Sequence, residues 1–325
     1  MTSINVRTKS LAKPIIIDGI ARTGKFFLGK LLCGLENIEY FQYVSALEQI
    51  PYLNKLGAIN EDAAISLLQI IIDEHAYNMS IGRNINLRYD DGSSVNNSLE
   101  AELYINRAQM PIDLNSFIDK SSMISNRLSP FITHETFPNI KIFLKAFQDL
   151  KIVLLKRHPI DVMHSWLKRG WGKRYNNEDV LAFIPLLKKN NIVYPWYISG
   201  MEKEYFKSTE IERIILSVTL LMDMEAETFK SLSKQQQEQV LIIHYDSLVE
   251  NTENEIQRME KYFQAKASTR MPMIMQNENC PIQLQSDKRI QKMNELSQNI
   301  SQKYIDLILR KVVEYESVYP QTNQI

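Results

Sequence analysis

Three short runs of the chain are apolar at consecutive positions and show no alternation with polar residues. They cover residues 15–18 (IIID), 151–155 (KIVLL) and 240–244 (VLIIH), and residues 130–133 (PFIT) form a weaker fourth run. Strands of a parallel sheet have this pattern because helices cover both of their faces. Each strong run precedes a turn and a helical pattern, which predicts repeated strand–helix units in one parallel sheet.

Apolar residues recur at helical spacing through most of the remaining chain. Helices are predicted over residues 62–78, 113–127, 141–149, 210–232 and 286–315. Thr252 and Glu255 have the spacing of a capping box, which predicts a further helix that begins there and ends near Phe263. The polar, breaker-rich sequence of residues 89–98 predicts an exposed loop.

The sequence DGIARTGKFFL directly follows the first predicted strand. Gly19, four further residues and then Gly24-Lys25 have the spacing of a phosphate-binding loop. A strand, a glycine turn and a helix N-terminus present backbone N–H groups to phosphate or sulfate oxygens, and Arg22 and Lys25 add positive charge. Phe26 stands where a nucleotide triphosphatase has Ser or Thr to hold Mg²⁺. The pattern therefore favours an anion site without that metal ligand over an ordinary strand-to-helix turn.

A second polar cluster follows the strand predicted over residues 151–155. Arg157 ends that strand, Pro159 suits the first position of a helix, and Asp161 falls in its first turn. The strand end and the second helical turn could place Arg157 and Ser165 on one anion. Taken alone, the same pattern is equally compatible with a solvated arginine and a serine that faces water.

Together these stretches resemble the sulfotransferases that use 3′-phosphoadenosine 5′-phosphosulfate (PAPS), in particular their bacterial and carbohydrate-type members. The loop signature P-K/R-S-G-T-T corresponds here to Ala21-Arg22-Thr23-Gly24-Lys25-Phe26. The more specific signature R-x-P-x-D-V-x-x-S is matched by Arg157, Pro159, Asp161, Val162 and Ser165. A downstream strand that ends in Y-E-D-L corresponds to Tyr245-Asp246-Ser247-Leu248.

The resemblance implies a role for each matched residue. The loop backbone with Thr23, Gly24, Lys25 and Phe26 would hold the 5′-phosphosulfate of the donor. Arg22 would take the place of the family's catalytic Lys or Arg and stabilise charge on the bridging oxygen. The 3′-phosphate and the adenine would be contacted by Arg157, Ser165 and Tyr245.

The resemblance also implies a general base for the acceptor hydroxyl. His134 follows Thr133 at the place where cytosolic family members carry a Thr-His pair, and it is the candidate base. Glu48 and Glu135 are rival bases, because other branches of the family use Glu. The sequence departs from the family in Lys25-Phe26, which replace a Thr pair, and in its tail, where Lys288 and Arg289 are weak candidates for donor contacts.

The predicted fold class is α/β, a P-loop-type parallel β-sheet flanked by helices with large helical insertions. With no internal repeat or linker, one sulfotransferase-like domain is expected over residues 1–325. The nucleotide-binding core is expected at about 14–35 and 130–265. The helical insertion is expected at about 40–129 and a C-terminal helical tail at 286–325.

The composition limits the classes of partner that the protein is expected to bind. Lys+Arg and Asp+Glu are both 38, so the chain lacks the basic excess of a generic nucleic-acid binder. Cys33 and Cys280 have no metal-type spacing, and no metal site is predicted. The absence of any run of about 18 apolar residues predicts no membrane span and a cytoplasmic protein. The expected partner is a small-molecule or carbohydrate acceptor.

Three functions are consistent with the motifs. The leading one is a PAPS-dependent sulfotransferase that moves a sulfuryl group to a hydroxyl, with a carbohydrate among the candidate acceptors. The alternatives are a P-loop kinase or nucleotide triphosphatase, favoured only by Gly24-Lys25, and a degenerate nucleotide-binding protein without turnover. The polar residues 73–97 are equally suited to line a sugar site or to form a plain surface insertion.

Overall fold

The computed structural model describes residues 4–111, 124, 126–174, 183–190, 192–284 and 286–318. Its strands are β1 (Lys13–Asp18), β2 (Gln42–Tyr43), β3 (Leu128–Ile132), β4 (Lys151–Lys156), β5 (Leu186–Lys189), β6 (Ile192–Pro195) and β7 (Val240–His244). Its first seven helices are α1 (Lys25–Leu32), α2 (Ala46–Lys55), α3 (Glu61–Ser80), α4 (Ala101–Gln109), α5 (Lys141–Ala146), α6 (Pro159–Lys168) and α7 (Glu202–Lys207). The others are α8 (Glu210–Lys230), α9 (Lys234–Glu238), α10 (Tyr245–Glu250), α11 (Thr252–Phe263), α12 (Met271–Asn277), α13 (Ser286–Leu296) and α14 (Gln302–Val318).

The central sheet has five strands in the order β2-β3-β1-β4-β7, and all of its pairings are parallel. This confirms the predicted fold class and the four predicted strands, with ends shifted by one or two residues. The two-residue strand β2 and the antiparallel hairpin of β5 and β6 have too little sequence pattern to be predicted.

Successive isoleucines of the central strand β1 point to opposite faces of the sheet, as alternate residues of any strand do. Ile16 packs with α3 and α5 on one face, and Ile15 and Ile17 pack with α1 and α11 on the other. Both faces are therefore buried, which explains why the strand sequences show no alternation of apolar and polar positions. A third apolar cluster joins α6, α8 and the two C-terminal helices to Ile20 and Ala21 of the loop after β1.

The helix predicted from Thr252 to near Phe263 is confirmed as α11, but its predicted capping box and the full exposure predicted for one loop are wrong. Asn251 precedes α11 without a side-chain cap, and the Thr252 hydroxyl instead donates to the Leu248 carbonyl oxygen at 2.8 Å. The capping box fails because α10 runs almost directly into α11. The loop of residues 89–98 is not wholly exposed, since two of its own residues, Ser94 and Val95, are buried. The helix predicted over residues 113–127 lies mostly outside the described residues.

The carboxylate of Asp18 joins the end of β1 to the turn that follows β3. Its Oδ1 accepts hydrogen bonds from the Thr133 hydroxyl at 2.8 Å and the Thr136 amide at 3.2 Å, and its Oδ2 accepts one from the Phe137 amide at 2.7 Å. The side chain is fully buried. Residues 133–137 are therefore held against the carboxyl edge of the sheet by one acidic group.

Removing the Asp18 carboxylate should destabilise the fold strongly. Asp18→Ala leaves three buried donors without an acceptor, and we expect the free energy of unfolding to fall by about 3 kcal/mol. Asp18→Asn should lose less, because one amide oxygen still accepts. Urea denaturation measures both, with the exposed Asp90→Ala as a control that should change stability by less than about 0.5 kcal/mol. Equal losses in Asp18→Ala and the control would contradict this role.

Candidate active site

The loop between β1 and α1 has a backbone conformation that depends on its two glycines. Gly19 and Gly24 have φ values of 147° and 102°. A Cβ on Gly19 would lie 2.4 Å from the Leu155 carbonyl oxygen, and one on Gly24 would lie 2.6 Å from the Tyr245 ring. Arg22 also has a positive φ of 76°, which is uncommon for a residue with a side chain. The loop is therefore packed tightly between β4 and α10.

Two side chains of the loop stabilise it from inside. The Thr23 hydroxyl donates to the Ile20 carbonyl oxygen at 2.9 Å. The Lys25 ammonium donates to the carbonyl oxygens of Gly19 and Ile20 and is buried, and this burial lowers its pKa. The charge of Lys25 thus supports the loop conformation. The amides at the start of α1, which have no acceptor within the helix, remain the groups that can face an anion.

The residues of the second signature meet the loop at Arg22. The Arg22 Nε atom donates to the Ser165 hydroxyl at 3.2 Å, and Arg157 Nη1 donates to the Arg22 carbonyl oxygen at 2.9 Å. The Arg157 guanidinium lies 4.3 Å from the centre of the Tyr245 ring, and its Nε is buried without a hydrogen-bond partner. Burial lowers the pKa of Arg22, and the nearby guanidiniums of Arg169 and Arg157 lower it further. The structure thus brings together residues that the sequence separates widely.

Trp166 is a site residue that sequence reasoning missed. Its Nε1 donates to the Ala21 carbonyl oxygen at 3.0 Å, next to Arg22. It follows Ser165 directly, and the buried face of α6 carries it to the loop. The available sequence signal for Trp166 was an apolar helix position next to a polar motif, but a residue at such a position more often belongs to the hydrophobic core.

His134 and Glu48 form a hydrogen-bonded pair opposite the loop. The Nδ1 atom of His134 lies 2.9 Å from Glu48 Oε1, and the backbone amide of His134 donates to the same oxygen at 2.8 Å. The Tyr43 ring packs edge-on against the imidazole, with 5.4 Å between ring centres. Glu48 is buried on α2, whereas the side chain of His134 is 24% exposed. The predicted base and one of its rivals are therefore partners.

The two groups of this pair have strongly shifted proton affinities. Burial, with a smaller effect of Asp18, raises the pKa of Glu48 to about 8. Burial and the positive charge of Lys25 lower the pKa of His134 to about 4. Because the groups share a hydrogen bond, protons bind to the pair as a unit.

Glu135, the other rival base, has a structural contact. Its Oε1 accepts a hydrogen bond from the Ala21 amide at 2.7 Å, and its own amide donates to the Gly19 carbonyl oxygen at 3.3 Å. The side chain is buried, and burial raises its pKa. Glu135 therefore links the turn after β3 to the phosphate-type loop.

Arg289, one of the two C-terminal candidates for donor contacts, binds two acidic side chains of the protein. The Arg289 Nε atom donates to Asp161 Oδ2 at 3.0 Å, and its Nη2 donates to Asp246 Oδ2 at 2.7 Å. It joins an acid of the second signature to one of the third and so holds α13 against α6 and α10. The side chain of Lys288 is exposed.

A cavity of about 340 Å³ lies between the loop and the His134–Glu48 pair. Of the predicted site residues, its walls include Arg22, Gly24, Lys25, Phe26, His134, Glu48, Glu135 and Arg157. Thr23 and Tyr245 lie behind this wall, where they support the loop. None of residues 73–97 lines the cavity, so that segment does not supply a sugar site here. Opposed charged and hydrogen-bonding groups around one space suit transfer between two bound molecules.

The sulfotransferase domain family matches residues 12–314. The chain belongs to this family. Its members are transferases of the sulfuryl group and in general use PAPS as the donor. No curated protein matches the chain by sequence.

The chain is similar to solved sulfotransferase structures at low sequence identity. The sulfotransferase domain from the curacin biosynthetic pathway aligns with a TM-score of 0.52 and 12% identity, over 95% of this chain and 99% of that domain. Sulfotransferase STF9 from Mycobacterium avium aligns with a TM-score of 0.41 and 11% identity, over 90% of this chain and 78% of that one. A sulfotransferase from Alicyclobacillus acidocaldarius aligns with a TM-score of 0.40 and 12% identity, over 93% of this chain and 96% of that one.

Family membership decides against the kinase alternative for this sulfotransferase. The Phe26 ring packs edge-on against Phe41, with 5.7 Å between ring centres. Within the described part of the chain, no cluster of three or more His, Cys, Asp or Glu side chains could hold a metal ion. No helix among the described residues is both long and apolar enough to cross a membrane.

The pair of His134 and Glu48 should make the stability of this sulfotransferase depend on pH. Glu48, with its pKa raised from 4.5 to about 8, stabilises the fold fully below pH 4.5, and this contribution is lost as pH rises through about 8. His134, with its pKa lowered from 6.5 to about 4, stabilises the fold above pH 6.5 and loses that contribution as pH falls through about 4. Between pH 6.5 and 8 the Glu48 contribution therefore falls, by up to about 1.4 kcal/mol per pH unit.

Glu48→Gln tests this slope. Urea unfolding at several pH values from 6.5 to 8 should show a flatter pH dependence in Glu48→Gln than in the wild type. Glu225, whose pKa burial also raises to about 8, contributes the slope that remains in both proteins. The half-exposed Glu61→Gln serves as the control and should keep the wild-type slope. Parallel curves for Glu48→Gln and the wild type would show that Glu48 does not hold its proton in this range.

Proposed function

We propose that this sulfotransferase moves the sulfuryl group of PAPS to the hydroxyl group of a small-molecule or carbohydrate acceptor in the cavity between the loop and His134. The observation that carries the proposal is the placement of a helix N-terminus with phosphate-loop glycine spacing and a His–carboxylate pair in the lining of one cavity. The first supplies a place for the donor, and the second supplies a base for the acceptor.

The residues around the loop suit the donor. The amides of Gly24, Lys25 and Phe26 would bind the 5′-phosphosulfate, with Thr23 fixing the loop through its hydroxyl. Arg157 and Ser165 would bind the 3′-phosphate, since both converge on Arg22 and the Nε of Arg157 is buried without a partner. Tyr245, under the Arg157 guanidinium, would lie near the adenine.

The donor supplies the sulfuryl group and leaves as adenosine 3′,5′-bisphosphate. As the acceptor oxygen bonds to sulfur, Nε2 of His134 takes the hydroxyl proton. Glu48 orients the imidazole through Nδ1 and stabilises the positive charge that the proton brings. Arg22 stabilises the negative charge that collects at the loop when the bond between sulfur and the bridging oxygen breaks.

His134 suits the role of base better than either glutamate. The carboxyl oxygen of Glu48 already accepts a hydrogen bond from the His134 amide, and that of Glu135 accepts one from the Ala21 amide. Both glutamates are also more deeply buried than His134. The imidazole keeps Nε2 for the acceptor when Nδ1 faces Glu48.

Incubation with donor carrying labelled sulfur and a panel of hydroxyl acceptors tests the proposed function. Labelled product and adenosine 3′,5′-bisphosphate should form in equal amounts, and transfer should persist in a metal chelator because Phe26 replaces the Mg²⁺ ligand of triphosphatases. Tight binding of the bisphosphate without transfer to any acceptor would favour the degenerate, non-catalytic alternative.

The contacts assigned to Arg157 and Ser165 predict weaker donor binding in their variants. Arg157→Ala loses a charge-assisted contact, and its affinity for adenosine 3′,5′-bisphosphate should fall by about 1.5–3 kcal/mol. Ser165→Ala should lose nearer to about 1 kcal/mol. Calorimetric titration measures both, with Arg310→Ala on α14 as a control that keeps full affinity. Unchanged affinity in Arg157→Ala would remove this residue from the donor site.

Loss of the base should lower turnover and leave donor affinity nearly unchanged. His134→Ala should reduce kcat by about 10²–10⁴-fold, because the proton moves only in the transition state. The bisphosphate affinity of the variant serves as its internal control. A variant that keeps most of its rate, while Glu135→Gln is inactive, would assign the base to Glu135.

The pH–rate profile should report the proton affinity of the pair. With the pKa of Glu48 near 8, the pair holds two protons at neutral pH, and Nε2 becomes free as pH rises through about 8. The rate of the wild type should therefore rise with pH in this range. In Glu48→Gln the burial of His134, with its pKa near 4, should move the rising limb to acid pH and lower the maximum rate. A rising limb of the pH–rate profile at the same pH in both proteins would contradict the pairing of His134 with Glu48.

A further inference from the structure

A second cavity lies between helices α8 and α14 and the carboxyl ends of strands β4 and β7. Its volume of about 310 Å³ lies at the lower end of the range of small-molecule sites, about 300–1,000 Å³. Among the described residues, Arg157 is the one that lines both cavities, and the proposed base His134 lines only the first. The second cavity is therefore a space separate from that of the proposed transfer reaction.

The walls of this second cavity are largely apolar. Their apolar side chains come from the loop after β1, from both strands and from both helices, and include Ile20, Leu155, Met222, Ala226, Ile242 and Val318. Water finds few hydrogen-bond partners among such side chains, whereas an apolar molecule is stabilised there because it leaves water. The cavity therefore suits the apolar part of a small molecule.

One buried acid faces this apolar space. Glu225 lies on α8 at helical spacing from Met222, and both side chains line the cavity. Glu225 is 4% exposed, and its Oε1 atom has no hydrogen-bond partner among the described residues. Burial raises its pKa to about 8, so at neutral pH the carboxyl group holds a proton that it can donate. A buried polar group without a partner costs stability, and a ligand oxygen would supply that partner.

A lysine on the strand wall also lacks a partner. Lys156 ends β4 and lines the cavity, and its ammonium forms no ion pair or hydrogen bond within the described part of the chain. After burial, its positive charge has the largest effect on the pKa of Glu225 and lowers it, so the two groups face the same space. Lys311, a buried lysine of α14 in the same lining, is instead paired with Asp223 and Glu314.

The charges of the cavity favour an anion over a cation. With Glu225 protonated, the unpaired charges on its walls are positive, and Lys230, an exposed lysine at the end of α8, adds to them. Glu314, the other acid among the described lining residues, is already in an ion pair. One carboxylate has enough acceptor sites for both the Lys156 ammonium and the Glu225 hydroxyl, and charge-assisted hydrogen bonds are the stronger kind.

We propose that this second cavity binds a small apolar molecule that ends in a carboxylate, with the apolar part between α8 and α14 and the carboxylate between Lys156 and Glu225. Medium-chain fatty acids and arylalkanoic acids share this chemistry. The site is additional to that of the proposed transfer reaction and does not depend on it.

Probes that differ only in their end group test the proposal. Octanoate, octanamide and octylamine share one chain and carry a negative, a neutral and a positive end, and 4-phenylbutyrate and its amide repeat the comparison with an aromatic body. Binding to the full chain is measured by saturation-transfer NMR titration. At least one acid should bind about tenfold or more tightly than its amide, as expected for charge-assisted hydrogen bonds. The acid that binds more tightly distinguishes an alkyl from an aromatic ligand.

Variants connect this binding to the residues of the cavity. Lys156→Gln should lose most of the difference between acid and amide. Lys151→Gln removes a lysine at the other end of β4, whose ammonium lies 4.7 Å from the centre of the Tyr262 ring, and should keep the difference. Ala226→Trp fills the apolar part and should abolish the binding of acids and amides alike.

Glu225→Leu gives a second readout that does not depend on a ligand. The variant loses one donor to the carboxylate, and its affinity for octanoate should fall by about two- to tenfold. Its resistance to urea should not fall, because the carboxyl oxygen that is removed has no partner to leave unsatisfied. Circular dichroism verifies that each variant is folded.

Equal binding of acids and amides, or tighter binding of octylamine than of octanoate, would overturn the proposal. Displacement of octanoate by adenosine 3′,5′-bisphosphate would also overturn it, because the cavity would then belong to the donor site. The same holds if Lys156→Gln loses affinity for the bisphosphate and keeps the preference for the acid. Failure of the proposed function leaves these results interpretable, since none of the probe titrations measures sulfuryl transfer.

Discussion

Asp18 ends the central strand with a buried carboxylate that accepts hydrogen bonds from Thr133, Thr136 and Phe137. The backbone between these donors carries His134 and Glu135, so both side chains are positioned by contacts to β1. The same strand continues into the loop between β1 and α1, and the Glu135 side chain accepts a hydrogen bond from the Ala21 amide of that loop. Two acidic groups, Asp18 and Glu135, therefore hold the turn after β3 to β1 and its loop, and neither segment can shift without breaking buried hydrogen bonds.

The loop is organised by the protein itself. Gly19 fits against the Leu155 carbonyl oxygen, and the buried Lys25 ammonium donates hydrogen bonds to the carbonyl oxygens of Gly19 and Ile20. Arg22 keeps a positive φ and is held between Ser165 and Arg157. Because these internal contacts fix the loop, little conformational entropy remains to be lost when an anion binds. This arrangement suits a donor bound through backbone amides and arginines in a site whose Phe26 offers no metal ligand.

The protons of the site belong to a cluster rather than to single residues. Burial favours the neutral forms of Glu48, Glu135 and His134, while Lys25 opposes protonation of all three. The short contact between His134 and Glu48 then determines where the remaining protons lie. Such coupling allows the base to be neutral before the reaction. Its protonated form is then stabilised by a carboxylate.

The sequence by itself determined the central strands, most helices and the glycine turn that joins β1 to α1. These features depend on apolar runs, glycine spacing and helix-start residues, which act over a few neighbouring positions. The family signatures also placed Arg22, Arg157 and Ser165 together before any contact was known. Strand β2 and the hairpin of β5 and β6 escaped prediction because short strands form through pairing partners rather than through their own pattern.

Only the tertiary structure decided how the site residues are used. His134 and Glu48 are separated by 86 positions, and the sequence presented them as rivals, whereas packing of α2 against the turn after β3 makes them partners. Lys25 appeared to be a ligand for the anion, and its ammonium is instead enclosed by loop carbonyl oxygens. Arg289 bridges Asp161 and Asp246, two signature acids. Such contacts join segments far apart in the chain, and their geometry depends on how strands and helices pack, which local sequence patterns do not encode.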